Sequence, residues 1–394
     1  MSRMSRRNFL AAISVGTAAA GLRRNRPFLS PDTSGPEALQ VPVALIHLTD
    51  LYRPHADPDD HWDLASLYAL AHQGRIELRG VIIDYPPADF NGDPDVMAVA
   101  QMNRIASQAV PVAVGSPRRL DGAEAMRPDS RGALSGVNAL IQMMRTSSRP
   151  VAISVVGSSR DVALAGRLEP QLFSERCAGI YLNAGSGTPD PALAARREYN
   201  VALDPASYAG IFDLPCPVFW LPCFEVAPGK HGEPFVAGPR GTYYRFIQKE
   251  ILPHLSPRVQ NYFAFMFKQG SSEKDRVKEA DALRPDWLRT LDGPLQEEVL
   301  ARQGGREREM WSTAGFFHAA GLTVTGAGEI VPRDTTTSPL FSFDPVRVAC
   351  DSEGITRWEP DPTSRRRYLF LVQDAERYPA AMTAALRTLL KTLP

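Results

Sequence analysis

The sequence predicts an α/β fold: a largely parallel central sheet with helices on both faces. Three observations carry this. Continuous apolar runs such as VAISVVG (151–157) and AGIYLNAG (178–185) have the composition of strands buried on both faces. Stretches of helical period separate them, so strand and helix alternate as crossover connections in a parallel sheet require. Small and acidic residues collect just after the apolar runs, at the edge where open α/β sheets bind ligands.

The elements follow in order. Segment 1–25 carries SRRNFL (5–10) and then the weakly apolar AAISVGTAAAGL, too short and too mild to span a bilayer. It resembles a twin-arginine (Tat) export signal with a small-residue cleavage site near Ala18 to Ala20. That resemblance implies export to the periplasm or the extracellular space, and an anchor only if the segment stays uncleaved. Residues 26–40 are rich in Pro, Ser and Gly and form a linker, leaving 41–394 as one domain. Within it, the apolar run Val41 to Leu48 carries a first strand at Leu45 to Leu48, 59–73 is a helix and 76–84 a second strand. A helix over 93–107, a strand over 110–114 and a helix over 135–147 come next. After them come a strand over 151–157 and a helix over 160–168. Strands at 178–185 and 217–222 bracket YNVALDPASYAGIF (199–212). Residues 241–320 have a mostly helical pattern. Short strands at 346–352, 355–360 and 367–373 precede a final amphipathic helix at about 375–391.

Composition narrows the function. Lys plus Arg and Asp plus Glu both number 44, so no basic surplus points to nucleic acid. The cysteines, Cys177, Cys216, Cys223 and Cys350, form no CxxC, and buried free thiols are the expectation. Small-molecule chemistry is the class left in front.

The strongest local signal is LTDLYRPHADPDDHWDLASLYAL. Asp50, Asp57, Asp59 and Asp60 put four carboxylates into eleven residues between a strand end and a helix start. Like charges this close repel unless a cation, hydrogen-bond donors or a helix N-terminus stabilises them. A hard-cation site with oxygen ligands fits better than a solvated loop with one N-cap, because one cap needs only one Asp. Neighbouring His61 and Trp62 are candidates for a pocket rim, where an indole stacks on a base or sugar, although packing beneath the loop is an equal expectation for Trp62. His47, inside the first strand, is expected to be a core residue.

Further along, GSSRDVALA (157–165) is a small-residue turn entering a helix, and REYNVALDPASYA (197–209) places Glu198, Asn200 and Asp204 at a strand-to-helix turn. Asp204 followed by Pro205 is an N-cap with Pro at the first helical position. Glu198 and Asn200 alternate across Tyr199 and would point the same way from an extended segment, suiting hydrogen bonds to sugar hydroxyls.

Taken together and in order, these motifs resemble the inosine-uridine preferring nucleoside hydrolase family. DPDDHWDLASLYAL is similar to its N-terminal aspartate cluster, IELRGVIID with Asn91 beyond it to its second strand, VPVAVGSPRRL to its PVxxG segment, VGSSRDVALA to its GPLTNLA turn and REYNVALDPASYA to its AEFNxxxDPEAA segment. The resemblance covers about 45–225 well and the remainder loosely, through His318 and the last strand and helix.

The resemblance implies hydrolysis of the N-glycosidic bond of a ribonucleoside or related N-ribosyl compound around a calcium ion. Asp50 and Asp60, with the main-chain carbonyl of Arg160, would ligate the metal, and Asp50 would take a proton from a metal-activated water. Asp59, Asn91, Glu198 and Asn200 would hold the ribose hydroxyls, and His318 would protonate the leaving base. Departures are visible. Ala319 follows His318 where the family has a calcium-ligating Asp, and Ala192 stands where an Asn is expected. Arg160 and Asp161 replace Thr and Asn, and LYRPHA is inserted after Asp50, bringing Asp57, His55 or Glu309 into consideration as replacement ligands. An alternative follows from Ala319: a non-catalytic ribosyl- or polyol-binding protein with an incomplete metal shell. A DxD phosphotransferase ranks third, because no Lys- or Thr-bearing phosphate turn accompanies the aspartates. The sequence leaves a homo-oligomer open.

Overall fold

A computed structural model describes residues 42–53, 59–86, 93–117, 119–120, 134–269 and 288–394. The 1–25 signal, the 26–40 linker, His55, Asp57 and Asn91 lie outside these described residues. Strand β1 (Val43–Thr49) leads through the two-residue β2 (Tyr52–Arg53) to helix α1 (Asp59–His72). Then come β3 (Ile76–Ile83), the short β4 (Asp93–Pro94), α2 (Val96–Ala106), β5 (Val112–Val114) and α3 (Ser135–Thr146). Next are β6 (Val151–Val155), α4 (Arg160–Leu168), α5 (Pro170–Arg176) and β7 (Cys177–Asn183). The short helices α6 (Pro191–Ala194), α7 (Tyr199–Leu203) and α8 (Pro205–Ile211) lead to β8 (Val218–Leu221).

The expectation of a mostly helical 241–320 holds among the described residues, with an antiparallel strand pair added. Strand β9 (Tyr244–Ile247), helices α9 (Pro257–Gln269) and α10 (Glu297–Gly304), strand β10 (Glu307–Met310) and helix α11 (Thr313–Ala319) share it, and β9 pairs antiparallel with β10. The sequence pattern gave no sign of this pair because only Tyr244, Phe246 and Met310 of it are buried, too few to stand out from the helices around them. The chain ends with β11 (Leu322–Val324), β12 (Ile330–Pro332), β13 (Phe341–Cys350), β14 (Thr356–Pro360), β15 (Arg367–Val372) and α12 (Tyr378–Leu390).

Among the described residues the main sheet has nine strands in the order β14-β13-β15-β8-β7-β6-β1-β3-β5. The seven from β15 to β5 are parallel, and β13 and β14 extend that edge antiparallel. Each face carries its own core. On one, Leu45 of β1 packs with Trp62, Phe263, Phe317 and Leu386; on the other, Ile46 packs with Ile153, Leu140, Val162 and Trp220. Adjacent residues of β1 thus enter opposite cores, which is why its sequence is apolar throughout. No helix among the described residues is long and apolar enough to cross a membrane.

Two local details recur below. The chain runs from β1 outward to β3 and β5, then crosses back to β6 on the other side of β1, making the crevice beyond β1 and β6 a topological switch point. The β6–β7 register slips by one residue: Val151 opposes Cys177 but Ala152 opposes Gly179, and the extra residue, Ala178, is exposed.

Candidate active site

The site grows from the end of β1. Thr49 donates through Oγ1 to Asp60 Oδ1 at 2.5 Å, tying the strand end to the first turn of α1. Asp59 and Asp60 occupy that turn, where the amide dipoles favour negative charge. The loop after β6 presses close: a Cβ at Gly157 would stand 2.5 Å from Asp84 Oδ2 and 2.8 Å from the Asp50 amide nitrogen, so only glycine allows this approach. These segments open onto a cavity of about 420 Å³, lined by Asp50, Asp59, Asp60, Glu198, Asn200 and Ser312 among others.

The opposite wall comes from the excursion between β7 and β8. Glu198 is not in a strand but is the N-cap of α7. Its Oε1 accepts from the Asn200 amide at 2.9 Å, and its Oε2 from the Gly185 amide at 2.9 Å and the Val201 amide at 3.3 Å. The extended geometry expected for 198–200 is therefore replaced by a helix start, in which the side chain of Glu198 serves the backbone. Burial nevertheless raises the Glu198 pKa, against the lowering effect of those amides. Asn200 donates from Nδ2 to the carbonyls of Val156 (2.9 Å) and Asn183 (3.1 Å), leaving its Oδ1 as the acceptor for a ligand. Asp204 caps α8 by accepting from the Ser207 amide at 3.0 Å, with Pro205 at the helix start.

Three side chains expected at the site lie elsewhere. Trp62 has no exposed surface; it stacks on Phe263 at 4.1 Å and meets Phe246 edge-on at 5.2 Å. His61 is buried with Nε2 3.4 Å from Asp95 Oδ2, and burial lowers its pKa to about 3. With Asp59 and Asp60 facing the cavity, the next positions turn about 100° per residue toward the core, away from any rim. His318 is the third. It sits near the far end of α11, with Nδ1 3.0 Å from the Tyr181 hydroxyl, Nε2 2.7 Å from Arg333 Nη1 and its ring 4.4 Å from Phe343.

The start of α11 reaches the cavity instead, through Trp311 and Ser312. His318 is six residues and about 9 Å of helix rise beyond Ser312. The residue this helix offers to the aspartates is thus Ser312, and the Ala319 position has no bearing on them. Ser312 Oγ donates a short hydrogen bond to Asp63 Oδ2. In the sequence Ser312 is only a small polar residue before a helix, and nothing there ties it to the aspartates.

Arg160 begins α4 and does not line the cavity. Its Nε donates to Ser158 Oγ at 2.8 Å and its Nη1 to the Ser116 carbonyl at 3.1 Å, setting a buried cation near Asp84 and Asp161. Asp84 directly follows β3 and is 1% exposed; burial first and the Asp50 charge second hold its pKa well above the carboxylate range. Burial raises Asp161 to about 6. Arg197, Tyr199, Phe224 and Cys223 also line the cavity.

The donors at the cavity are hard oxygens, the chemistry a calcium ion takes. Asp50 and Asp60 supply carboxylates and Ser312 only a hydroxyl, and no group of three or more His, Cys, Asp or Glu among the described residues is arranged to hold a metal. Glu309 is not in the cavity wall; it accepts from the Tyr243 hydroxyl at 3.1 Å. The described residues therefore make a partial shell.

No protein-family model matches the chain, and no curated protein matches it. Among solved structures it is similar to a purine-preferring ribonucleoside hydrolase from Gardnerella vaginalis, at 15% identity and TM-score 0.48 over 88% of this chain and 99% of that one. It is also similar to the inosine-uridine preferring nucleoside hydrolase from Bacillus anthracis, at 13% identity and TM-score 0.43 over 89% of this chain and 100% of that one. The type III effector XopQ complexed with adenosine diphosphate ribose is similar at 16% identity and TM-score 0.47, over 89% of this chain and 95% of that one. At these scores the likenesses carry no argument about activity.

Proposed function

We propose that the chain hydrolyses the N-glycosidic bond of a ribonucleoside or a related N-ribosyl compound. One observation carries this: a single cavity at the switch point of the sheet gathers Asp50, Asp59 and Asp60 against Glu198 and Asn200, with the Trp311 indole in its wall. Carboxylates and a carboxamide acceptor suit a polyol, and an indole suits a flat base. Asp50 accepts the proton of the attacking water, which adds to the anomeric carbon as the bond to the base breaks. Negative charge around the ribosyl ring favours the oxocarbenium-like transition state. Asp59 and Asn200 Oδ1 bind ribose hydroxyls, and Glu198 fixes the α7 segment that presents Asn200. Asp50 and Asp60 would hold a calcium ion, with Asp57 as a further carboxylate; such an ion supplies a lowered pKa for bound water. His318 faces Tyr181 and Arg333 outside the cavity wall, so the departing base is assigned its proton from solvent. The N-terminal twin-arginine segment supports export from the cytoplasm before the enzyme acts.

A second reading, a non-catalytic ribosyl-binding protein, is favoured by one specific feature: Ser312 turns its hydroxyl to Asp63 and adds no carboxylate to the shell. The test is release of free ribose from a nucleoside panel, with calcium and with a chelator. Chelator-sensitive release supports the hydrolase; saturable binding without release supports the second reading; neither result refutes both.

A further inference from the structure

Away from the cavity, at the N-terminal edge of the sheet, two thiols meet. Cys177 opens β7 and Cys216 lies two residues before β8, which pairs with β7 through Ile180 opposite Val218. In a regular strand Cys177 would share a face with Gly179 and Tyr181. The one-residue slip at Ala178 turns it over, so Cys177 joins Ile180, Leu182, Cys216 and Trp220 in the same core. Both thiols are buried in that core, and the β7–β8 register, with Ile180 opposite Val218 and its amide bonded to the Pro217 carbonyl, sets Cys216 beside Ala178, one residue from Cys177.

The surroundings of Cys216 favour a thiolate. The neighbouring Cys177 thiol lowers its pKa, and the charges of Arg367 and Arg366 act the same way against burial. Arg367 also fixes the loop, donating from Nη1 to the Cys216 carbonyl at 2.8 Å and from Nη2 to the Leu214 carbonyl at 2.8 Å. The other two cysteines have different neighbours: Cys223 lies against Glu198 in the cavity wall and Cys350 against Thr356.

We propose that Cys177 and Cys216 form a redox-responsive disulfide that staples the site-bearing excursion between β7 and β8. The segment they would close contains α6, α7 and α8, and with them Arg197, Glu198 and Asn200. The oxidant is a small disulfide of the glutathione class. The Cys216 thiolate attacks one of its sulfurs, forming a mixed disulfide and releasing one thiolate. Cys177 then loses its proton and attacks Cys216 Sγ, releasing the second thiol. Two protein thiols become one disulfide as one glutathione disulfide becomes two thiols.

The experiment incubates the full chain over a series of oxidised-to-reduced glutathione ratios, quenches with a maleimide and reads free thiols, intact mass and linked peptides. The expected result is loss of two of the four thiols, a mass about 2 Da lower than the reduced chain, and a Cys177–Cys216 peptide. The linked form should melt roughly 5 °C higher, because closure removes entropy from the unfolded chain. Cys350→Ser should keep the link and Cys216→Ser should lose it. Peptide mapping of the wild-type chain decides the matter without either variant. Four free thiols under fully oxidising conditions, or a link between any other pair, would overturn the proposal.

Discussion

His47 makes acid sensitivity measurable at one residue. It stands in β1 with no exposed surface, its Nδ1 3.3 Å from Ser154 Oγ and its ring edge-on to Phe316 at 5.7 Å. Its Nε2 has no hydrogen-bond partner among the described residues. Burial lowers its pKa from 6.5 to about 3, so the folded protein holds it neutral. The unfolded chain takes up this proton as pH falls through 6.5, and the folded chain only near 3. The stability the neutral ring contributes is therefore present above 6.5 and lost progressively as pH falls toward 3. At pH 5 the deficit is about 2 kcal/mol, from roughly 1.4 kcal/mol per pH unit below the unfolded pKa. That is a sizeable part of a typical total of about 5–15 kcal/mol. His47→Gln removes the titration. Urea unfolding followed by circular dichroism at about pH 7.5 and pH 5 should show the variant gaining about 2 kcal/mol on wild type upon acidification. Parallel stability curves for the two proteins would refute the burial argument.

Other substitutions probe the core, the wall and the ion. Trp62→Ala should cost about 3–5 kcal/mol in urea unfolding, as expected for a buried aromatic, and an effect confined to ligand affinity would return Trp62 to the rim. Glu198→Gln replaces one acceptor by a donor facing backbone amides, so it should lower stability by about 2 kcal/mol as well as weaken ligand binding; an unchanged unfolding midpoint would contradict the capping role. Calcium should raise the melting temperature of the wild type, less so in Asp60→Ala and more so in Ser312→Asp, by scanning fluorimetry. Equal shifts in all three proteins would separate this cavity from any calcium effect.

The sheet was legible because its strands are buried on both faces. Runs such as VAISV admit few alternatives, and the helix limits at Asp59 and Pro205 followed from caps written in the sequence. The β9–β10 pair was not legible, since it is short and has few buried positions. Within the site, the aspartates after β1 announced themselves by charge density. Ser312 and Asp84 did not, because a lone serine or aspartate gains meaning only when its neighbours across the fold are known. His318 misled for a related reason: helix α11 presents its first residues to the cavity, and a motif read along the chain cannot say which end of a short helix faces a ligand. Trp62 shows the converse, since proximity to Asp60 in sequence is half a helical turn away in space.

The position of β15 bears on how this protein is made. It lies between β13 and β8 and is parallel to β8, yet it leaves the ribosome after every other strand described here. Until it emerges, the β8 edge remains open, with Trp220 and Leu221 awaiting the layers that bury them in the finished chain. Between the emergence of β8 and that of β15 the sheet is thus incomplete, and its open edge can pair with other strands. A stop codon before Arg367 would remove β15 and α12 and leave the gap permanent. Such a product would lack that strand although the cavity-lining residues named above would already have been translated.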